Sequence, residues 1–143
     1  MRSATVRNRK DTRGAVAVEF ALVVPVLMIL MLGIVEFSYA FLMQASVANA
    51  ARVGARNYAI NYSLAIKTGQ SQESLQQAAI QVATDATPVP SNVVSGSFSA
   101  VCAPQQQTTL TLSYRYHSLT GWFDGILGSS VNLKGIGSMQ CGG

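Results

Sequence analysis

Apolar residues form one long run near the N-terminus of the chain. From Phe20 to Val35 no residue carries a charge, and the apolar character continues to Met43 with few interruptions. A helix rises about 1.5 Å per residue and the hydrocarbon core of a bilayer is about 30 Å thick, so about twenty residues are enough to cross it. The run therefore predicts a transmembrane helix over residues 15–43.

Beyond this run the spacing of apolar residues predicts two further helical segments. Small and apolar residues recur at helical spacing over about 44–60, which continues the first helix out of the membrane. Arg52 and Arg56 share another face of this segment, and we interpret them as solvated charge in preference to ligands for lipid phosphates or an acidic partner. An alanine-rich pattern predicts a second helix at about 71–87, with Ser71 as its N-cap.

From residue 93 onward the period of the pattern drops to two. Apolar and polar residues alternate over about 93–102, 108–117 and 131–141, which predicts three half-buried strands. A small sheet with one apolar face needs a cover, and the second helix together with the outer part of the first can supply it. The predicted fold class is α+β, with a head of residues 44–143.

Charge is concentrated ahead of the apolar run. The formal net charge is +4, and five basic residues against one acid place all of it within residues 1–14. A nucleic-acid partner would need basic residues clustered on a folded surface, so we expect no nucleic-acid binding. By the positive-inside rule this leader stays in the cytoplasm, and the head is predicted to lie in the periplasm.

A cleaved secretory signal peptide is the alternative interpretation of the N-terminal segment. Ala48-Asn49-Ala50 fits the small-x-small cleavage pattern, and a cut there would leave Ala51 as the first residue. The apolar run is longer than the about 7–15 residues of a signal core, which favours a helix that stays uncut at this point.

Glu19 places a carboxylate almost at the start of the apolar run. Such a group costs about 2.5–3.5 kcal/mol at the bilayer centre and less near the interface, so Glu19 could be a plain interfacial acid that suits the helix dipole. Its register with Gly14 indicates a function, because a cut after Gly14 would make Ala15 the first residue and Glu19 the fifth, followed by Phe20. This arrangement resembles the class III signal of type IV pilins and pseudopilins, which a prepilin peptidase cuts on the cytoplasmic face.

The stretch RGAVAVEFALVVPVLMILMLGIVEFSYA, from residue 13 on, narrows the resemblance. With Glu19-Phe20, Pro25 and a second Glu-Phe pair at Glu36-Phe37, it resembles the TadE family of pseudopilins from tight-adherence (Tad/Flp) pilus systems. The resemblance implies a minor structural subunit of the bacterial inner membrane that crosses it once. Its implied partners are the prepilin peptidase, other pilin and pseudopilin subunits, the Tad assembly machinery and the lipid bilayer. Such a subunit either stays in the membrane or is incorporated into the surface pilus.

The resemblance also implies a role for Glu19. In this family the carboxylate is thought to meet the N-terminal ammonium that cleavage creates on a neighbouring subunit, here that of Ala15. Opposite charges attract far more strongly in low dielectric than in water, so this pair would favour in-register packing of the helices. Pro25 lacks an amide donor and is expected to kink the helix near Ala21, either as plain structure or as a flexible portion that helps the subunit leave the bilayer.

Cys102 and Cys141 are a disulfide candidate, because they form an even pair on apolar strand faces in a predicted oxidising compartment. In a simple meander the first and third strands lie about 9–10 Å apart, which is more than a disulfide spans. Either the third strand pairs beside the first and parallel to it, with residues 118–130 crossing over, or the cysteines lie past the strand ends where the chain bends inward. We slightly favour the crossover, since Trp122 and Phe123 could pack over the sheet.

Residues that could support catalysis are scarce. His117 lies on the polar side of a strand with no acid at neighbouring alternate positions, and no spacing of Cys or His makes a metal site. The sequence contains no P-loop, dinucleotide fingerprint or nucleophile elbow. We therefore expect no enzyme activity, no cofactor and no metal. The rival hypothesis is a membrane-anchored periplasmic binding domain or enzyme that uses the helix only as an anchor.

Overall fold

The computed structural model describes residues 12–89, 94–121, 124–127 and 131–142. Most of the predicted leader, residues 1–11, lies outside the described residues. A long helix, a second helix and a three-stranded sheet confirm the predicted α+β class. The elements in chain order are α1 (Thr12–Thr68), α2 (Gln72–Asp85), β1 (Val94–Phe98), β2 (Gln107–Tyr116), α3 (Asp124–Leu127) and β3 (Val131–Gln140).

Helix α1 contributes to two compact units. The first ends at Val35, and the second comprises Glu36–Gly143. From here on, the name head refers to this second unit and no longer to the predicted residues 44–143. The helix continues past its predicted end near residue 60 because its buried face continues through Tyr62 and Ala65. It ends at Thr68, directly before Gly69, which takes a positive φ of 71°, and the amide of Gln70 donates to the carbonyl of Ala65 at 3.0 Å. A glycine in this left-handed conformation is a common end for a helix.

Helix α2 begins at the predicted N-cap and packs on α1. The Ser71 hydroxyl accepts a hydrogen bond from the amide of Ser74 at 3.3 Å, which satisfies one of the free donors of the first turn. On the buried face of α2, Ala79 and Ala83 lie close to Gly54 of α1: a Cβ at Gly54 would be 2.7 Å from the Ala83 Cβ. Small residues on both sides therefore let the two helices approach closely.

The sheet has the order β1-β2-β3, and both pairs of neighbouring strands are antiparallel. In the centre of β2, Leu110 and Leu112 are fully buried, while Arg115 on the opposite face is exposed. On the edge strand β1, Ser95 and Ser97 are exposed in the same alternation. One face of the sheet thus packs against the helices and the other is polar, as the period of two predicts.

Helix α1 contacts β3 through backbone. A Cβ at Gly135 would collide with the carbonyl of Val47, and a Cβ at Gly137 would collide with the carbonyl of Ala51. Val47 and Ala51 are fully buried. Glycine at these two strand positions therefore permits an approach between helix and strand that every other residue would prevent.

The predicted pairing of the third strand beside the first is wrong, because β2 lies between them. Cys102 and Cys141 are nevertheless joined by a disulfide, with Cα atoms 5.7 Å apart. Strand β1 ends at Phe98, earlier than predicted, and the chain after it bends inward past the start of β2. The amide of Gln105 donates to the Cys141 carbonyl at 3.0 Å, and the amide of Cys141 donates to the Gln106 carbonyl at 2.8 Å. Bending beyond the strand ends is therefore the arrangement that closes the bond, and Trp122 and Phe123 lie outside the described residues.

Candidate functional site

The residues predicted to direct processing lie in the first turns of α1. Gly14, Ala15, Glu19 and Phe20 are all exposed, and nothing lies within 4 Å of a Cβ placed at Gly14. The helix continues through Pro25. Exposure suits recognition by a peptidase, while the processing role itself stays a prediction.

Residues 21–35 of α1 are apolar, and none of them is buried. The most apolar window of 18 residues in α1 has a mean hydropathy of 2.7, and none of it is buried. Exposed apolar surface of this length is unusual for a protein in water. By length and composition this part of α1 is a candidate membrane anchor, although a signal sequence meets the same criteria.

A buried carboxylate marks the start of the head. Glu36 Oε1 accepts hydrogen bonds from the amide and the hydroxyl of Thr120, both at 2.7 Å. Its Oε2 accepts from the Tyr116 hydroxyl at 3.0 Å and from the Leu119 amide at 3.1 Å. The side chain is only 5% exposed, and these four donors offset the cost of burying its charge. We call Glu36, Tyr116, Leu119 and Thr120 the carboxylate clamp, because they tie the end of β2 to α1.

Apolar packing surrounds the clamp. The Tyr116 ring lies 6.0 Å from that of Tyr39, centroid to centroid, and both belong to a cluster with Met43, Val89 and Leu133. Burial raises the pKa of Tyr116 to about 12, and its hydrogen bond to Glu36 and the charge of Glu36 act in the same direction. The Tyr116 hydroxyl therefore stays protonated near neutral pH and remains a donor to Glu36.

The sequence does not predict the structural role of Glu36. It lies in the second Glu-Phe pair, inside the predicted span of residues 15–43, where a carboxylate needs partners. The partners of Glu36 are 80 to 84 residues away along the chain, so no local pattern could name them.

Replacing Glu36 with glutamine is expected to destabilise the head by about 2–3 kcal/mol. The substitution removes the charge and turns one acceptor oxygen into a donor, which leaves buried donors facing an NH₂ group. The midpoint of thermal unfolding in micelles, followed by near-UV circular dichroism, should fall by about 10 °C or more. Glu73→Gln, at an exposed position of α2, is the matched control, and an equal shift in both variants would contradict the structural role of the clamp.

The structure does not gather the predicted residues into a single site. Gly14, Glu19 and Pro25 belong to the first unit, whereas Cys102 and Cys141 lie in the head. The amide of Cys102 donates to the Tyr58 hydroxyl at 3.2 Å, so the disulfide belongs to the packed interior. His117 is exposed, and the described residues contain no group of three or more His, Cys, Asp or Glu side chains that could hold a metal ion.

The fold and the exposed apolar segment together place the protein in a class of small α+β proteins. In this class the N-terminal part of the first helix is a candidate membrane anchor. The family model described as TadE-like protein matches residues 14–56 of the chain. This match confirms the resemblance predicted from the sequence and is consistent with a TadE-family protein of the Tad pilus system. It starts at Gly14 and includes both Glu19 and Glu36. No match was found among curated proteins or among solved structures.

Proposed function

We propose that the chain is a minor pseudopilin of a Tad pilus system, cut after Gly14 by a prepilin peptidase and then held in the bacterial inner membrane by α1. The observation that carries this proposal is the TadE-like match over residues 14–56, which begins at the proposed cut and contains Glu19. The head would lie in the periplasm, where the subunit would work with other pilin and pseudopilin subunits and the Tad assembly machinery.

Two properties of the chain support this placement. The basic residues within 1–14 precede the apolar part of α1, the order expected when the N-terminus stays in the cytoplasm. The disulfide between Cys102 and Cys141 suits an oxidising compartment on the other side. Together they support a single-pass orientation with the head outside the cytoplasm.

The packing of α1 weighs against cleavage of a signal peptide after Ala50. Val47, Ala50 and Ala51 are all fully buried in one cluster with Leu110 of the sheet. A cut between Ala50 and Ala51 would sever α1 inside the core of the head and would also release Glu36 from its donors. An uncut helix retains these contacts. For the rival binding domain or enzyme, the described part of the chain offers no observation that favours it over a pilus subunit.

Processing is tested by the N-terminus of the mature chain. After expression with the cognate prepilin peptidase, the intact mass should fall by that of residues 1–14 and the chain should begin at Ala15. An inactive peptidase is the control and should leave the full mass. Gly14→Leu should block the cut, because the peptidase would have to accept a bulky side chain directly before the cleaved bond, while the chain itself has open space for that side chain. A mature N-terminus at Ala51, or an uncut chain beside the active peptidase, would refute the proposal.

Glu19→Gln is expected to leave membrane insertion intact but to impair pilus biogenesis. The span becomes no less apolar, while the proposed partner of a neighbouring N-terminal ammonium is lost. Counting surface pili and fractionating membranes from the same cells separates assembly from insertion. Normal piliation in this variant would return Glu19 to the role of an interfacial acid.

A further inference from the structure

We propose that the two helices of the head pair with the same helices of a second copy of this chain, so that α1 of each copy packs on α2 of the other. The pairing surface, which we call the helical face, is defined by six exposed residues: Val53, Arg56, Ile60 and Leu64 of α1 with Val82 and Asp85 of α2. This pairing concerns the head alone and does not depend on the proposed cut by a prepilin peptidase.

Helices α1 and α2 form one layer over the sheet. A Cβ at Gly54 of α1 would lie 2.5 Å from the Leu110 Cδ2 of β2 and 2.7 Å from the Ala83 Cβ of α2. Helix α2 also contacts the sheet, because a Cβ at Gly96 of β1 would lie 3.0 Å from the Ile80 Cγ2. One side of this layer therefore packs on the sheet, and the opposite side faces away from it.

The helical face lies on the side that is turned away from the sheet. Val53 directly precedes Gly54, and Val82 directly precedes Ala83, so each valine is turned by about 100° from the residue at which the helices meet. Ile80 lies on the other side of Ala83, where it packs on the sheet. Both valines therefore border the groove between the helices on its outer side.

Exposed apolar residues continue along this outer side. On α1, Ile60 and Leu64 are each 60% exposed and Val53 is 37% exposed, at spacings of seven and four residues that place them on one stripe. On α2, Val82 is 38% exposed. Adjacent apolar residues with a charged border are typical of surfaces that bind another protein.

Charged residues border these apolar residues with opposite signs on the two helices. Arg56 lies between two apolar residues of α1 and lines one groove with them. Lys67 lies in the last turn of α1, where a base suits the helix dipole. Asp85 lies one turn after Val82 on α2, and its Oδ1 accepts a hydrogen bond from the Gln81 Nε2 at 2.9 Å. The helical face is therefore basic on α1 and acidic on α2.

This distribution of charge selects the same face of a second copy as the partner. Pairing α1 with α1 would bring the Arg56 side chains of both copies together, and pairing α2 with α2 would do the same for Asp85. Like charges in contact oppose binding. The reciprocal arrangement instead places Arg56 opposite Asp85 twice, which is the self-complementarity that a dimer with two-fold symmetry requires.

Arg56 and Asp85 also lie at similar levels along the helices. The three-residue turn between α1 and α2 makes the helices antiparallel. Arg56 follows Gly54 by two residues, and Asp85 follows Ala83, which contacts Gly54, by two residues. The two levels therefore differ by about 6 Å, which an arginine side chain can span. A two-fold axis parallel to α1 keeps these levels, so Arg56, solvated in the single chain, gains a carboxylate partner in the dimer.

The other acids of the described head lie elsewhere. Glu36 is buried among its donors, and Asp124 accepts a hydrogen bond from the loop after β2. Glu73 lies in the first turn of α2, about 18 Å along the helix from Asp85. Among the described residues, Asp85 is thus the acid that can meet Arg56 of a second copy.

Photo-crosslinking of the full chain in detergent micelles tests the contact. Benzoylphenylalanine in place of Ile60 should yield a product of twice the chain mass, and peptide mapping should locate the crosslink in α2 of the other copy. The matched control carries the same group in place of Ile136, which is also 60% exposed but lies on β3. This control should give no product of twice the mass.

Charge variants test the proposed pair. Arg56→Asp or Asp85→Arg alone brings like charges together twice, so each should lower the association constant, measured by native mass spectrometry over a range of concentrations, by about tenfold or more. The double variant has the net charge of the unmodified chain and restores opposite charges, so association should recover. Lys134→Asp makes the same change in charge as Arg56→Asp at an exposed position of β3 and should leave association unchanged.

Three results would overturn the inference: a single chain at every concentration, a dimer that lacks the crosslink from position 60 to α2, or a double variant as weak as either single one. Near-UV circular dichroism verifies that each variant is folded. These failures are distinguishable from failure of the proposed function, because the cut after Gly14 is measured separately at the mature N-terminus.

Discussion

Gly137→Ala is expected to destabilise the head strongly. The new Cβ would collide with the Ala51 carbonyl in the middle of α1, and a backbone group cannot rotate away as a side chain can. Overpacking in a core usually costs about 1–3 kcal/mol. Since Gly135 contacts Val47 in the same way, helix and strand cannot slide to relieve the collision. We therefore expect a loss of at least about 3 kcal/mol, a large share of the about 5–15 kcal/mol that stabilises a typical domain.

Thermal unfolding in micelles, followed by near-UV circular dichroism, measures this loss. Gly125→Ala is the matched control, because nothing lies within 4 Å of a Cβ at Gly125. The control should unfold close to the temperature of the unmodified chain, while Gly137→Ala should unfold at least about 12 °C lower. Equal midpoints for the two variants would show that α1 and β3 do not need their backbone contact.

Removing the disulfide is expected to cost about 4 kcal/mol. Cys102 and Cys141 are 39 residues apart, and a closed loop of that length restricts the unfolded chain by about this amount in the chain-entropy model. The variant with alanine at both positions should unfold roughly 15 °C or more below the unmodified chain.

Reductant provides the control for this experiment. The chain has only two cysteines, so reduction acts on this bond alone. Reductant should lower the midpoint of the unmodified chain and leave that of the double-alanine variant unchanged. An unmodified chain that unfolds at the same temperature with and without reductant would show that the bond adds no stability.

Patterns that depend on near neighbours in sequence predicted much of this fold. The alternation in β2 placed Leu110 and Leu112 in the core, and Ser71 caps α2 as its position before an alanine-rich helix suggests. The end of α1 was placed too early, because beyond residue 60 of this helix only Tyr62 and Ala65 are buried, while the apolar residues Leu64 and Ile66 beside them are exposed. Local patterns thus predicted which helices and strands form more accurately than they predicted where each one ends.

Features that depend on distant residues were not predictable in this way. The predicted strand order was wrong. In a flat meander the distance between the outer strands is too long for a disulfide, whereas the real chain bends beyond Phe98 before it reaches Cys102. Gly135 and Gly137 carry no side chain, so their contact with α1 leaves no apolar pattern to recognise. The donors to Glu36 likewise come from a loop that is distant in sequence.

The contacts between α1 and β3 also have a consequence for the order in which the parts of the head fold. The hydrogen bond from Gln44 to Lys134 joins residues 90 positions apart, and Ala51 meets Gly137 across a similar separation. Contacts of such long range form slowly, because the intervening loop must first be closed. The small-residue face of α1 therefore has no backbone partner until β3, the last of the three strands in the chain, has been made and has folded back onto it. Completion of the head is a late event that needs nearly the whole chain.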